Sequence, residues 1–363
     1  MTVRAAVMTK PGAPMEVWDL PAPDLEEGAV LLETVASEVC GTDVHLHHGR
    51  LAGVPYPIIP GHVSVGRILE SRGVDVDAVG NSLAPGDVVT FYDVHEVCGE
   101  CWHCAVAGQP NRCPHRKVYG ITYSVADGLL GGWAEQIYLK PGVRVVKLPA
   151  GVAADDVIGG GCGLFTGFGA VERSTLEMGD VVAVQGAGPV GLSATAFARL
   201  RGAGTVITIG APQSRLQLAA ELGADVVLSI EDTEPAERVE RIRELTGGRG
   251  ADVVIEAAGN PKAVPEGFQL LRDGGTYVIA GHYTDVGSVE INVHLDINLK
   301  HANVRGQWGT AFRHVVRALT LLQKHELPFA RVIGARYGLD ETNQALADVA
   351  ALDVTKAIVT PNA

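Results

Sequence analysis

The chain reads as an α/β protein in which a doubly wound parallel sheet is joined to a second, irregular β-rich domain. Three observations predict this. Apolar strand-like runs alternate with helical runs from about Gly179 onward, the pattern of a parallel sheet covered by helices. Short β-like segments broken by Gly and Pro fill the chain from Met1 to about Ala150. At 363 residues the chain exceeds the size at which a single hydrophobic core stops growing, so two domains are expected.

In the first part, Val30 to Val35, Val63 to Glu70 and Asp87 to Phe91 carry the strand signal. In the second, Val181 to Gln185, Thr205 to Ile209, Asp252 to Ile255 and Thr276 to Ala280 are expected as parallel strands. Leu192 to Leu200, Arg215 to Leu222 and Ala236 to Leu245 are expected as the helices between them. After about Arg305, helical patterns at Phe312 to His325 and Glu341 to Leu352 precede a last strand near Lys356 to Thr360, and this tail is expected to rejoin the first domain. The expected division is 1–162, 163–305 and 306–363. No internal repeat or low-complexity segment interrupts it.

The composition narrows the function. A hydrophobic fraction of 47% and a charged fraction of 20% describe an ordinary globular protein. A net charge of −13 argues against nucleic acid or an anionic membrane as partner, because both require clustered Lys and Arg, and favours a small-molecule substrate. No apolar stretch reaches transmembrane length, and the start, Met1 to Met8, lacks the apolar core and cleavage site of a secretory leader. A cytoplasmic location follows as the expectation, in which closely spaced cysteines read as metal ligands before disulfides.

Cys98, Cys101 and Cys104 stand at successive spacings of three, and Cys113 follows. Four thiolates close a tetrahedral zinc shell and leave no position for substrate, so this site reads as structural. Buried free cysteines or a redox dithiol are the competing readings. His103 could compete as a ligand, but four thiols suffice and it reads as a bystander. Two cysteines remain. Cys40-Gly41-Thr42-Asp43-Val44-His45 combines thiol, hydroxyl, carboxylate and imidazole within one short segment; Gly61-His62 follows a Pro-rich approach; Cys162 lies among glycines. Each alone is more often core filler or an ordinary polar residue. Together, two thiolates and one imidazole leave a fourth zinc position open, as a catalytic zinc requires.

Val181 to Gln185 runs into Gly186-Ala187-Gly188-Pro189-Val190-Gly191 and then a helix. This is G-x-G-x-x-G between strand and helix, where glycines permit the tight turn and close approach of a dinucleotide pyrophosphate to the helix N-terminus. The position after the next strand, where NAD-specific sites place an acidic residue for the ribose hydroxyls, is Gly210. Its neutrality admits NADP, for which a modest preference over NAD is expected. Arg215 is a candidate phosphate partner, with a solvated helix-start residue as the equal alternative.

These motifs, in this order over essentially the whole chain, resemble the zinc-containing medium-chain dehydrogenase/reductase family of alcohol dehydrogenases. The resemblance implies a GroES-like β-rich catalytic domain interrupted by a Rossmann domain, and a homodimer or homotetramer. It implies Cys40, His62 and Cys162 as catalytic zinc ligands, and Cys98, Cys101, Cys104 and Cys113 as structural ones. Thr42 and His45 would relay the proton released on alcohol oxidation, and Asp43 would orient His62. Thr166 would contact the nicotinamide end of the cofactor and Lys356 its pyrophosphate. Leu51, Val94 and Trp133 fall where the family lines its substrate pocket, which implies an apolar, secondary or cyclic alcohol. One departure is Val63: the family carries Glu directly after the ligand histidine, a carboxylate that sits behind the zinc. Reduction of a conjugated double bond or imine on the same scaffold is the alternative activity, and a silent NADP-binding structural protein a more distant one. Retention of both Thr42 and His45 favours alcohol chemistry.

Overall fold

The longest strand of the β-rich part, Val30–Val39, shows why that part folds around it. Its burial alternates over the first residues and becomes complete from Ala36 to Val39, so one end of the strand runs into the interior. In the computed structural model, which describes residues 2–363, it pairs antiparallel with Ser64–Ser71, Gln136–Leu139 and Ala357–Val359. The seven-stranded sheet is completed by Val88–Phe91, Val145–Lys147 and Ala335–Tyr337. The last residues of the chain are therefore built into the sheet of the first, with Ile358 opposite Glu38. The core of this unit contains Met8, Leu32, Ile58, Tyr119 and Trp133, all fully buried. The unit comprises the chain through Cys162 together with Ala311–Ala363.

The other unit, Gly163–Thr310, is a six-stranded parallel sheet. Its strand order is Val226–Ser229, Thr205–Gly210, Val181–Gln185, Ala251–Glu256, Leu271–Ile279, Asn303–Gly306. Numbered along the chain this is 3-2-1-4-5-6, the doubly wound order whose reversal beside the first strand creates a dinucleotide site. Val181–Gln185 is buried at every residue, as a central strand with helices on both faces must be.

Several elements depart from the sequence expectations for identifiable reasons. The 20-residue helix Ala154–Arg173 carries six glycines, which cost helix stability, and it is broken at Gly161 with φ 53° and ψ −141°. Packing overrides propensity beyond the break. A Cβ at Gly163 would lie 2.7 Å from Pro189 and one at Gly167 would lie 2.6 Å from Ser193, so both glycines let this helix approach Pro189–Leu200. The helix Ala263–Leu270 tolerates Pro265 because its first turn has no intrahelical donor to lose. Among the described residues, no helix is long and apolar enough to cross a membrane.

Candidate active site

The four-cysteine lobe gathers its sulfurs through local turns. The backbone N–H groups of Cys98 and Cys101 donate to the sulfurs of Cys113 (3.4 Å) and Cys98 (3.3 Å). Cys98 and Cys113 sulfurs are 3.6 Å apart, far beyond a disulfide and close to the edge of a tetrahedron with arms of about 2.3 Å. One ligand atom from each of Cys98, Cys101, Cys104 and Cys113 lies within 4.8 Å of all the others, and all four are free thiols. The donor set fits a structural zinc. His103 is outside it.

A second set forms at the buried end of Val30–Val39, where Glu38, Cys40, His62 and Cys162 bring ligand atoms within 4.8 Å of one another. Cys40 directly follows the strand and caps the helix Gly41–His47: its sulfur accepts the Thr42 N–H at 3.3 Å, and Asp43 Oδ2 accepts the Cys40 N–H at 2.9 Å. His62 is delivered by a loop that requires Gly61, with φ +91°, because a Cβ there would press on Trp133 at 2.6 Å. Cys162 follows the helix break at Gly161. The electrostatics favour a bound cation. Burial opposes a charged His62, yet the charges of Glu38, Cys162 and Asp43 and its bond to Cys162 outweigh that and raise its pKa to about 10. Cys162 is drawn down to about 7, first by its hydrogen bond with Cys40, while burial pushes the Cys40 thiol well up. His62 Nδ1 and Asp43 Oδ1 are both buried without a hydrogen-bond partner. Two thiols, an imidazole and a carboxylate converging on one point match a zinc donor set.

Thr42 and His45 lie on Gly41–His47, the helix that Cys40 caps; Thr42 is buried and His45 half-buried. Burial, then the charges of Arg50 and His48, lower the His45 pKa and keep it neutral at pH 7. Asp43 is completely buried, and its recorded hydrogen bond is to the Cys40 backbone. Leu51 and Val94 are half-buried beside the core. Trp133 differs from the expectation: it is 0% exposed, and its indole N–H donates to the Glu38 carbonyl at 2.9 Å. It fixes the end of the strand and does not face a substrate.

Lys356 also has a partner that the sequence did not suggest. It is 1% exposed, and its ammonium is bonded to Glu38 Oε2 rather than being presented to a pyrophosphate. Glu38 itself is absent from the sequence expectations. The signal for it was a Glu in an apolar strand two residues before a ligand cysteine, matched by a Lys at the start of an apolar C-terminal strand. Val63 is buried and contributes no donor.

In the parallel-sheet unit, Gly186 turns the chain at φ +112°, where a Cβ would lie 2.8 Å from the Ala257 backbone. Gly191 packs directly on the Gly186 carbonyl. Gly188 caps Pro189–Leu200 without a side-chain hydrogen bond, and a Cβ on it would meet nothing within 4 Å. The turn thus leaves the helix N-terminus open to a pyrophosphate, with Val190 in its first turn, and the residues fit a dinucleotide. Gly210 ends Thr205–Gly210, and a Cβ there would stand 2.7 Å from Ala187 Cβ, so the glycine also permits packing of the turn. Arg215 is 8% exposed, which removes the reading of a solvated helix-start residue. Thr166 is half-buried in the second half of the broken helix.

A four-thiol set that fits a structural zinc, a second buried donor set and a dinucleotide turn are together the features of a zinc-dependent oxidoreductase. Comparison with known proteins agrees. Residues 26–150 match the alcohol dehydrogenase GroES-like domain and 189–324 the zinc-binding dehydrogenase model. The chain is 33% identical to 5-exo-hydroxycamphor dehydrogenase of Pseudomonas putida over 98% of each chain. Alcohol dehydrogenase of Thermotoga maritima superposes with a TM-score of 0.95 at 34% identity, covering 100% of both chains. A provisionally described zinc-binding dehydrogenase of Sinorhizobium meliloti 1021, bound to NADP, superposes with a TM-score of 0.87 at 29% identity, covering 99% of this chain and 100% of that one. The chain belongs to the zinc-containing medium-chain dehydrogenase/reductase family and is an NAD(P)-dependent oxidoreductase acting on CH–OH groups.

Proposed function

We propose that the protein interconverts a secondary or cyclic, apolar alcohol and its carbonyl, with a modest preference for NADP. The observation that carries the reading is the convergence of Cys40, His62 and Cys162 beside a helix bearing Thr42 and His45. Bound zinc supplies a Lewis acid and bound nicotinamide a hydride carrier. Cys40, His62 and Cys162 would hold the metal, and Cys98, Cys101, Cys104 and Cys113 the structural ion. The Thr42 hydroxyl would position the substrate hydroxyl and receive its proton. His45, kept neutral by burial, would accept that proton onward. Asp43 holds the Cys40 loop by accepting its N–H. Gly186, Gly188 and Gly191 would admit the pyrophosphate to the first turn of Pro189–Leu200, with Pro189 and Val190 beside it; Thr166 would reach toward the nicotinamide.

The apolar character of Leu51 and Val94 supports an apolar substrate, and the Pseudomonas relative is named for a bicyclic secondary alcohol. The neutral Gly210 and the NADP-bound Sinorhizobium structure support the cofactor preference. Exposed Val293, Leu295, Leu299 and Val304, near or on the edge strand Asn303–Gly306, support a homo-oligomer, which light scattering would measure. The substrate reading is tested by kcat/KM across primary, secondary, cyclic and polyol substrates with both cofactors. The highest values are expected for secondary or cyclic apolar alcohols. A polyol or short primary alcohol leading the series contradicts it.

A further inference from the structure

Glu38 is completely buried, and its carboxylate has three close partners. Oε2 is ion-paired with Lys356, itself 1% exposed. Oε1 lies 3.3 Å from His62 Nε2. Both oxygens accept the Cys162 N–H, at 3.1 and 3.0 Å. Because the helix Ala154–Arg173 is broken at Gly161, that N–H belongs to the first turn of its second half, an end that attracts negative charge. Gly161 has φ +53°, and any Cβ on it would collide with both Glu38 Oε2 and Lys356 Nζ, so the backbone is shaped around this pair.

Burying a charge is costly unless it is paired and hydrogen-bonded, and an apolar pair of similar volume would fill the space at less cost. Lys356 raises the same question, since an ammonium beside a divalent cation is repelled unless an anion serves both. Glu38 has that position: one oxygen is engaged by Lys356 and the other faces the histidine of the donor set. Its ligand atom lies within 4.8 Å of those of Cys40, His62 and Cys162. The residue after His62, Val63, offers no donor.

We propose that Glu38 is the fourth protein ligand of the Cys40–His62–Cys162 metal in the resting protein, with Lys356 as its positioning residue. The inference rests on the metal reading of those three residues. It makes the resting shell two thiolates, one imidazole and one carboxylate. Glu38 would have to release the metal for a substrate oxygen to take its place, and its contacts with Lys356 and the Cys162 N–H would keep the carboxylate in the site when it does.

The test uses the full chain with zinc kept in the four-cysteine lobe and cobalt introduced at the second site, whose visible bands report the fourth ligand without any turnover. Glu38→Gln should shift those bands and speed cobalt loss to a chelator about 10-fold to 100-fold, the usual effect of losing a metal-site carboxylate. Because this variant leaves Lys356 buried and unpaired, Glu38→Gln with Lys356→Met is measured beside it. Glu38→Asp, which keeps the charge but shortens the arm, is measured as well. The double variant should regain thermal stability while keeping the shifted bands and fast loss, and Glu38→Asp should also shift the bands. Wild-type bands and loss rates in the double variant would show that Glu38 serves only to neutralise Lys356, and would overturn the proposal. Unshifted bands in Glu38→Asp would overturn it equally. If wild type takes up one metal equivalent in all, the metal reading of Cys40, His62 and Cys162 fails as well. Two equivalents with unshifted variants refute Glu38 alone.

Discussion

Replacing Gly210 by Ala tests how the dinucleotide turn is built. The added Cβ would sit 2.7 Å from Ala187 Cβ and 2.9 Å from the Ala187 backbone nitrogen. Carbon atoms prefer separations of about 3.5 to 4.0 Å, so the overlap is roughly 1 Å. Overpacking of this kind costs about 1 to 3 kcal/mol. Ala187 lies between Gly186 and Gly188, so relief requires the turn itself to move, and the cost falls on pyrophosphate binding. Dissociation constants for NADPH and NADH should rise by about 5-fold to 150-fold, with their ratio unchanged because both cofactors share the pyrophosphate. Fluorescence titration of the reduced cofactors reads this directly. Wild-type affinity for both, or a changed ratio, would refute the packing role. Gly210→Asp adds charge to the same overlap. Relative to Gly210→Ala it should recover NADH binding through ribose hydrogen bonds of about 1.5 to 3 kcal/mol and should further weaken NADPH.

Metal analysis should find about two zinc equivalents in wild type and about one in Cys40→Ser, with the fold retained; two equivalents in the variant would remove Cys40 from the donor set. Thr42→Val should nearly abolish turnover, and His45→Gln should slow oxidation by about 10-fold to 100-fold because water partly substitutes. Unchanged pH–rate profiles in both variants would refute the relay. Since burial holds the folded His45 pKa below its ordinary 6.5, oxidation should fall as pH drops through that lower value, and His45→Gln should lose this limb. The same shift has a stability sign: the unfolded chain binds the proton more readily, so the His45 contribution is full above pH 6.5 and is lost as pH falls toward the folded value. Urea denaturation from pH 7.5 to 5 in wild type and His45→Gln would measure it.

The parallel-sheet unit was legible because apolar runs such as Val181–Gln185 are buried on both faces and are followed directly by glycines with one structural use. The two candidate metal clusters were legible because a thiol is scarce and its spacing is informative. The helix Ala154–Arg173 was missed because its glycines read as a loop; their reason is the close approach of Gly163 and Gly167 to Pro189–Leu200, which no local pattern contains. Glu38 and Lys356 lie 318 residues apart, and each alone resembles an ordinary charged residue on a strand. The pairing of Ile358 with Glu38 brings them together. Trp133 was misplaced for a related reason: an aromatic residue can line a pocket or lock a core, and the hydrogen bond to Glu38 that decides the matter spans 95 residues.

The central claim is that this chain moves hydride between a CH–OH group and a nicotinamide at a zinc-dependent site. The most direct measurement incubates the purified protein with NADP or NAD and a cyclic secondary alcohol. Reduced nicotinamide is followed by absorbance and carbonyl product by chromatography, before and after a chelator strips the more labile zinc. The account predicts product and reduced cofactor in one-to-one amounts, loss of both on stripping, and recovery on adding zinc back. Turnover that persists undiminished with zinc only in the four-cysteine lobe would contradict it.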